Sequence, residues 1–142
     1  MDCLIHTSVR APVPAKLIRQ VVAYVLRAEK TPKGVVSVNV IGDAKMRRLN
    51  AQYRGKDRTT DVLSFSAREG GMPAVGDEVG DIFISASQIA RQAKEFGVPV
   101  GEEFVRMLVH GVLHALGYDH ISKSDAKIMF GKQEKYVKKC IG

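Results

Sequence analysis

The sequence predicts one domain built from both helices and strands, with about four short strands and about five helices. Three observations carry this. Four short runs, at 4–9, 35–41, 62–65 and 79–85, are rich in β-branched or alternating apolar residues. Five longer stretches place apolar residues at helical spacing. A length of 142 residues, 45% hydrophobic and 26% charged, suits a single soluble core.

The strand at 4–9 opens the chain. Pro14 suits a helix N-terminus. Leu17, Ile18, Val21, Val22, Val25 and Leu26 then follow at helical spacing, which predicts a helix over roughly 14–30. Thr31-Pro32-Lys33-Gly34 reads as a turn into the strand at 35–41. Asp43 is a good N-cap for the next helix. Its buried face is Met46, Leu49 and Tyr53, and Gly55 ends it. Asp61 precedes the third strand. Gly70, Gly71, Pro73 and Gly76 make 67–78 a loop. The run 79–85 is the fourth strand, and Asp81 inside it either faces a cleft or pairs with a base. Ser85 caps a helix with Ala86, Ile89, Ala93 and Phe96 on its apolar face, and Gly97 stops it.

The next helix carries FVRMLVHGVLHALGYDH at 104–120, with three of the four histidines. His110 and His114 are four residues apart, so one stacks above the other on one helical face. The flanking residues are apolar, which leaves one polar ridge of Arg106, His110 and His114. Gly117 is the left-handed cap that ends the helix and turns the chain so that His120 can join the other two. After His120, Ser122-x-x-Asp125 has the form of a capping box with Asp for Glu. A last helix runs to about Lys139, and its lysines, Lys132, Lys135, Lys138 and Lys139, complement the helix dipole.

A single histidine on an apolar face is usually a hydrogen-bonded core residue. Three within eleven residues, two at helical spacing and one past a glycine turn, point instead to a metal. Three imidazoles suit Zn²⁺ and leave its fourth position open, the catalytic arrangement. The spacing resembles that of zinc proteases with H-E-x-x-H-x-x-G-x-x-H. Gly111 stands where their catalytic Glu would be, so the usual peptidase route is disfavoured. The glycine is expected to let another backbone or a substrate approach the metal.

No apolar run approaches the length of a membrane span, and the first residues lack the pattern of a secretory signal. Cys3 and Cys140 form no disulfide framework, consistent with a cytoplasmic protein. The net charge of +7 favours a polyanionic partner. Arg54, Lys56 and Arg58 concentrate positive charge before Asp61. They form either a solvated loop or an anion site opposite the metal. No stacking platform of tandem aromatics is visible.

Taken together, HGVLHALGYDH, YRGKDRTTDVLSF at 53–65, GDIFIS at 80–85 and MFGKQE at 129–134 resemble the YbeY rRNA maturation factors. These are bacterial metal-dependent endoribonucleases, and the motifs occur in the family's order. The family tends to have prolines where this chain has Thr59 and Ser66, which is expected to loosen the loop around Asp61. The resemblance implies an α+β fold: a small mixed sheet with helices packed on it and the metal in a cleft on the histidine helix. It implies that His110, His114 and His120 hold one Zn²⁺ and that Arg54 is a catalytic residue. The implied activity is hydrolysis of single-stranded RNA in 16S rRNA 3′-end maturation and ribosome quality control. The implied partners are rRNA and the ribosome or its small-subunit proteins, with no membrane and no dinucleotide cofactor.

The rival reading is a ribosome-assembly factor that binds RNA and keeps a structural zinc. A zinc hydrolase of peptides or small molecules is opposed by Gly111 and the positive charge. No residue stands out as general base: Asp61, Asp81 and a metal hydroxide are all candidates, and attack by the substrate's own 2′-hydroxyl stays open. Asp119 is either an outer partner of an imidazole or a surface acid. Arg106 is expected to pair with Glu102 or Glu103.

Overall fold

The computed structural model describes residues 3–67, 77–119 and 121–141. His120 and nearly all of the glycine-rich loop therefore lie outside the described residues. Among the described residues the order is β1 (Cys3–Thr7), α1 (Ala15–Ala28), β2 (Val35–Ile41), α2 (Asp43–Arg54), β3 (Val62–Ser66), β4 (Glu78–Ser85), α3 (Ala86–Phe96), α4 (Val100–Ala115) and α5 (Lys123–Ile141). The strands form one mixed sheet in the order β1-β2-β4-β3. β1, β2 and β4 run parallel, and β3 returns antiparallel along β4 as an edge. This is the α+β fold expected.

Strand alternation sorts the two faces of the sheet. Val36, Val38 and Val40 of β2 pair with Gly80, Ile82 and Ile84 of β4. Their side chains join α1, α4 and α5 in the main core. On the opposite face, Met46 of α2 packs with Ile41, Leu63, Phe65 and Phe83 in a smaller cluster. Helix α4 crosses the middle of the main core, buried at Phe104, Val105, Leu108, Val109, Val112 and Leu113.

Two glycines let α4 and the strands close on each other. A Cβ on Gly111 would lie 2.9 Å from Ile82 Cγ2 and 3.1 Å from Ser64 Oγ. A Cβ on Gly80 would lie 3.2 Å from the Ala115 Cβ and far inside contact distance of the Phe65 carbonyl. Gly111 thus admits the neighbouring strands, the first of the two approaches expected at this position.

Several local expectations also change. Gly42, not Asp43, is the N-cap of α2. The Asp43 carboxylate instead accepts from Ser85 Oγ at 2.8 Å and Thr59 Oγ1 at 3.0 Å, and pairs with Arg91 at 2.8 Å. Thr59 therefore anchors its loop where looseness was expected. Tyr53 and Phe96 are exposed, although their spacing placed them on buried faces. Tyr53 lies just before the end of α2, where its ring packs edge-on against Phe65 over 5.4 Å. Phe96 is the last residue of α3, just before the Gly97 cap. Lys132 pairs with Glu29 at 3.0 Å instead of only complementing the helix dipole.

Candidate functional site

The burial of α4 fixes its rotation about its own axis. Arg106, His110 and His114 emerge as the half-buried ridge expected from their spacing. The two imidazoles lie nearly parallel, with ring centroids 6.4 Å apart and planes 16° apart. His110 also faces Phe130 of α5 at 6.2 Å.

Each ring is held at Nδ1 by an oxygen. His110 Nδ1 lies 2.7 Å from Gln133 Oε1 on α5. His114 Nδ1 lies 2.8 Å from the Tyr118 carbonyl. An oxygen acceptor at Nδ1 calls for a proton there, and the neutral ring then carries its lone pair on Nε2. That is the usual state of a metal-bound histidine with an outer partner.

The Tyr118 carbonyl is available because α4 ends in a Schellman turn. Tyr118 N–H donates to the Leu113 carbonyl at 3.1 Å and Gly117 N–H to the His114 carbonyl at 3.0 Å. Gly117 adopts the φ of +111° that this reversal needs. Beyond it, Tyr118 is tied down from the side. Its hydroxyl donates to Glu29 Oε1 at 2.5 Å, and Tyr136 and Lys132 converge on the same carboxylate. Burial works to raise the Glu29 pKa, but the hydrogen bonds from Tyr118, Tyr136 and Lys132 outweigh it and hold the carboxyl below its usual range.

Two Nδ1–H imidazoles one turn apart, each with its lone pair on Nε2, match the donor chemistry that Zn²⁺ takes. Among the described residues no three His, Cys, Asp or Glu side chains gather into a metal-holding group. The third expected ligand, His120, lies outside them.

Arg54 ends α2 and reaches across to the edge strand. Its Nη2 donates to the Ser64 carbonyl at 2.8 Å, and its guanidinium sits 4.6 Å from the Phe65 ring centre. The Ser64 hydroxyl in turn donates to the Gly111 carbonyl at 3.0 Å. One β3 residue thus links the arginine to the helix position beside His110.

The candidate acids are placed less favourably. Asp81 is exposed and shares a groove with Leu4, Ser37 and Phe65 on the sheet face away from α4. Asp61 Oδ1 accepts from its neighbour's Val62 N–H at 2.7 Å and from Thr60 Oγ1 at 3.3 Å. Asp119 Oδ1 accepts from the Ile121 N–H at 3.2 Å. Arg106 pairs with Glu102 and Glu103, each at 3.3 Å, and also with Glu134 at 3.0 Å. A groove of about 510 Å³ bordered by Lys30, Lys33, Ser66, Ala115 and Gly117 contains neither histidine.

Reading the sequence missed the partners that orient the rings. Gln133 is twenty-three residues from His110 and on another helix. The Tyr118 partner is a main-chain atom, which no residue type announces. The MFGKQE stretch was the available signal, since it contains Gln133 and Lys132.

The sequence profile of the family described as Endoribonuclease YbeY matches residues 6–141. The chain belongs to the YbeY endoribonuclease family. "Endoribonuclease YbeY" of Persephonella marina is 37% identical over 123 residues, covering 86% of this chain and 80% of that protein. The protein of the same name from Halalkalibacterium halodurans is 36% identical over 144 residues, covering 94% and 91%. The solution structure of TM1509 from Thermotoga maritima superposes with a TM-score of 0.69 at 28% identity, over 97% of this chain and 88% of that one. The YbeY-like motifs fall on the elements around the histidine ridge: the end of α2 with β3, then β4, then the middle of α5.

Proposed function

We propose that this protein is a metal-dependent endoribonuclease that cleaves single-stranded RNA, acting on the 3′ end of 16S rRNA and in ribosome quality control. The observation that carries the reading is the pair of parallel imidazoles, each anchored by an oxygen at Nδ1. Membership of a family whose relatives are named endoribonucleases supports the same reaction class. The net charge of +7 favours a polyanionic substrate. No described helix is long and apolar enough to cross a membrane. Action on ribosomal precursors in the cytoplasm, beside the ribosome or its small-subunit proteins, is part of the proposal.

His110 and His114, with His120, would hold one Zn²⁺ through imidazole nitrogen. When bound, zinc supplies Lewis-acid polarisation of a phosphoryl oxygen and water of lowered pKa. Arg54 holds the scissile phosphate and meets the charge that gathers on its oxygens, a forked contact that Lys makes poorly. The β3 tether to Ser64 and the Phe65 ring pre-sets the guanidinium before RNA arrives. Gly111 leaves no room for a protease-type glutamate, because its Cβ direction is filled by Ile82, Ser64 and Val62.

The test is purified wild-type, His114→Ala and Arg54→Ala protein on an end-labelled single-stranded RNA. Both substitutions are expected to abolish most cleavage. Undiminished cleavage by both would trace the activity to a contaminant and end the proposal. The product ends identify the attacking oxygen: a 2′,3′-cyclic phosphate reports the 2′-hydroxyl, a simple phosphate reports water.

A further inference from the structure

A relay of fixed groups runs from a charge on α4 to His110. Arg106 donates through Nε to Glu134 Oε2 at 3.0 Å and through Nη2 to Glu134 Oε1 at 3.1 Å. This forked pairing lowers the Glu134 pKa below its usual value and keeps the group a carboxylate. A carboxylate only accepts. The Gln133 atom 3.1 Å from Glu134 Oε2 is therefore the amide nitrogen. The other end of the same planar amide, its oxygen, then points at His110 Nδ1 from 2.7 Å. Gln133 is 4% exposed, so water does not readily replace either partner.

We propose that Gln133 is a positioning residue that selects the Nδ1–H tautomer of His110, with Arg106 and Glu134 setting which way its amide faces. An inverted amide would present N–H to Nδ1. The ring proton would then move to Nε2, and the metal-facing nitrogen would lose its lone pair. The proposal rests on the reading of His110 as a metal ligand, but the tautomer itself is a property of the metal-free protein.

The test uses the full chain and three substitutions. Gln133→Met keeps the length of the side chain and removes the acceptor. Gln133→Glu keeps an acceptor. Glu134→Gln removes the group that orients the amide. Two quantities are read: the imidazole ¹⁵N–¹H correlations of metal-free protein, and Zn²⁺ affinity against a competing chelator.

Wild type is expected to show His110 as the Nδ1–H form. Gln133→Met is expected to lose that signature and to bind Zn²⁺ about 10–100-fold more weakly. Gln133→Glu keeps an acceptor at Nδ1 although it sets a second carboxylate beside Glu134, and is expected to keep the Nδ1–H form, with Glu134→Gln falling between wild type and Gln133→Met. A Gln133→Met protein with the wild-type tautomer and affinity would overturn the proposal. If that variant does not fold, loss of the Nδ1–H form in Gln133→Glu would overturn it instead. Wild type that takes up no Zn²⁺ would refute the metal reading alone, and the nitrogen spectra would still decide the relay.

Discussion

The Ser64 hydroxyl donates to the Gly111 carbonyl at 3.0 Å, so edge strand β3 is pinned to α4 one residue from His110. The contact exists because position 111 has no side chain. Gly111→Glu is expected to destabilise the fold by about 3 kcal/mol or more, since it overpacks the helix–sheet contact and buries a carboxylate without a partner. Urea unfolding measures the loss. No peptidase activity should appear, although the motif would then read H-E-x-x-H.

The Glu29 cluster joins the C-terminal end of α1 to Tyr118, Tyr136 and Lys132, and so braces the turn behind His114. Glu29→Gln is expected to cost about 2 kcal/mol, from hydrogen bonds to a charged group that a neutral amide replaces poorly. The same cluster sets an acid limb. A carboxyl with a depressed folded pKa adds stability above its unfolded value, near 4.5 for Glu29, and loses it as pH falls through the lower folded value. Glu134, held down by Arg106, and Asp43, held down by Arg91, add to the same limb. Thermal melts from pH 6 downward should show a falling midpoint below about pH 4.5 that is shallower in Glu29→Gln.

Removal of the metal should leave a folded protein. The main core is closed by α1, α4, α5 and the sheet through apolar side chains, and His110 and His114 stand only half-buried on the ridge of α4. Chelation is expected to abolish RNA cleavage while far-ultraviolet circular dichroism stays unchanged. The unfolding free energy should fall only by the mass-action share of binding, about 2.7 kcal/mol at a metal concentration of 100 Kd. Collapse of the fold on chelation would favour the assembly factor with a structural zinc.

Arg54 should act through its fork and not through charge alone. Arg54→Ala is expected to lower kcat about 10²–10³-fold, as losing a donor to a charged transition state does. Arg54→Lys should recover little of this, because a single ammonium cannot both hold the Ser64 carbonyl and grip a phosphate bidentately. RNA affinity should move far less than kcat, since the remaining basic residues supply most of the salt-dependent binding. Single-turnover rates and filter binding separate the two effects.

Most of the fold was legible because its elements follow local rules. The periods of α1 and α4, the caps at Ser85 and Gly97 and the turn at Gly117 depend on neighbours a few residues away. The histidine ridge was legible for the same reason. What failed depends on distant partners. Asp43 has good cap chemistry, but Ser85, Thr59 and Arg91 claim its carboxylate. Asp81 sits in a strand next to core residues, and only the sheet's pleat assigns it to the face away from α4. Gly111 read as a place of close approach, but only β3 and β4 beside it show what approaches. Gln133 and the Tyr118 carbonyl complete the site from another helix and from the main chain.

X-ray absorption at the zinc edge of the zinc-loaded protein tests the central claim most directly. The account predicts one Zn²⁺ per chain, with three imidazoles at about 2.0–2.1 Å and one further light ligand from solvent. A first shell with sulfur, with fewer than three imidazoles, or with a fourth protein ligand would contradict it.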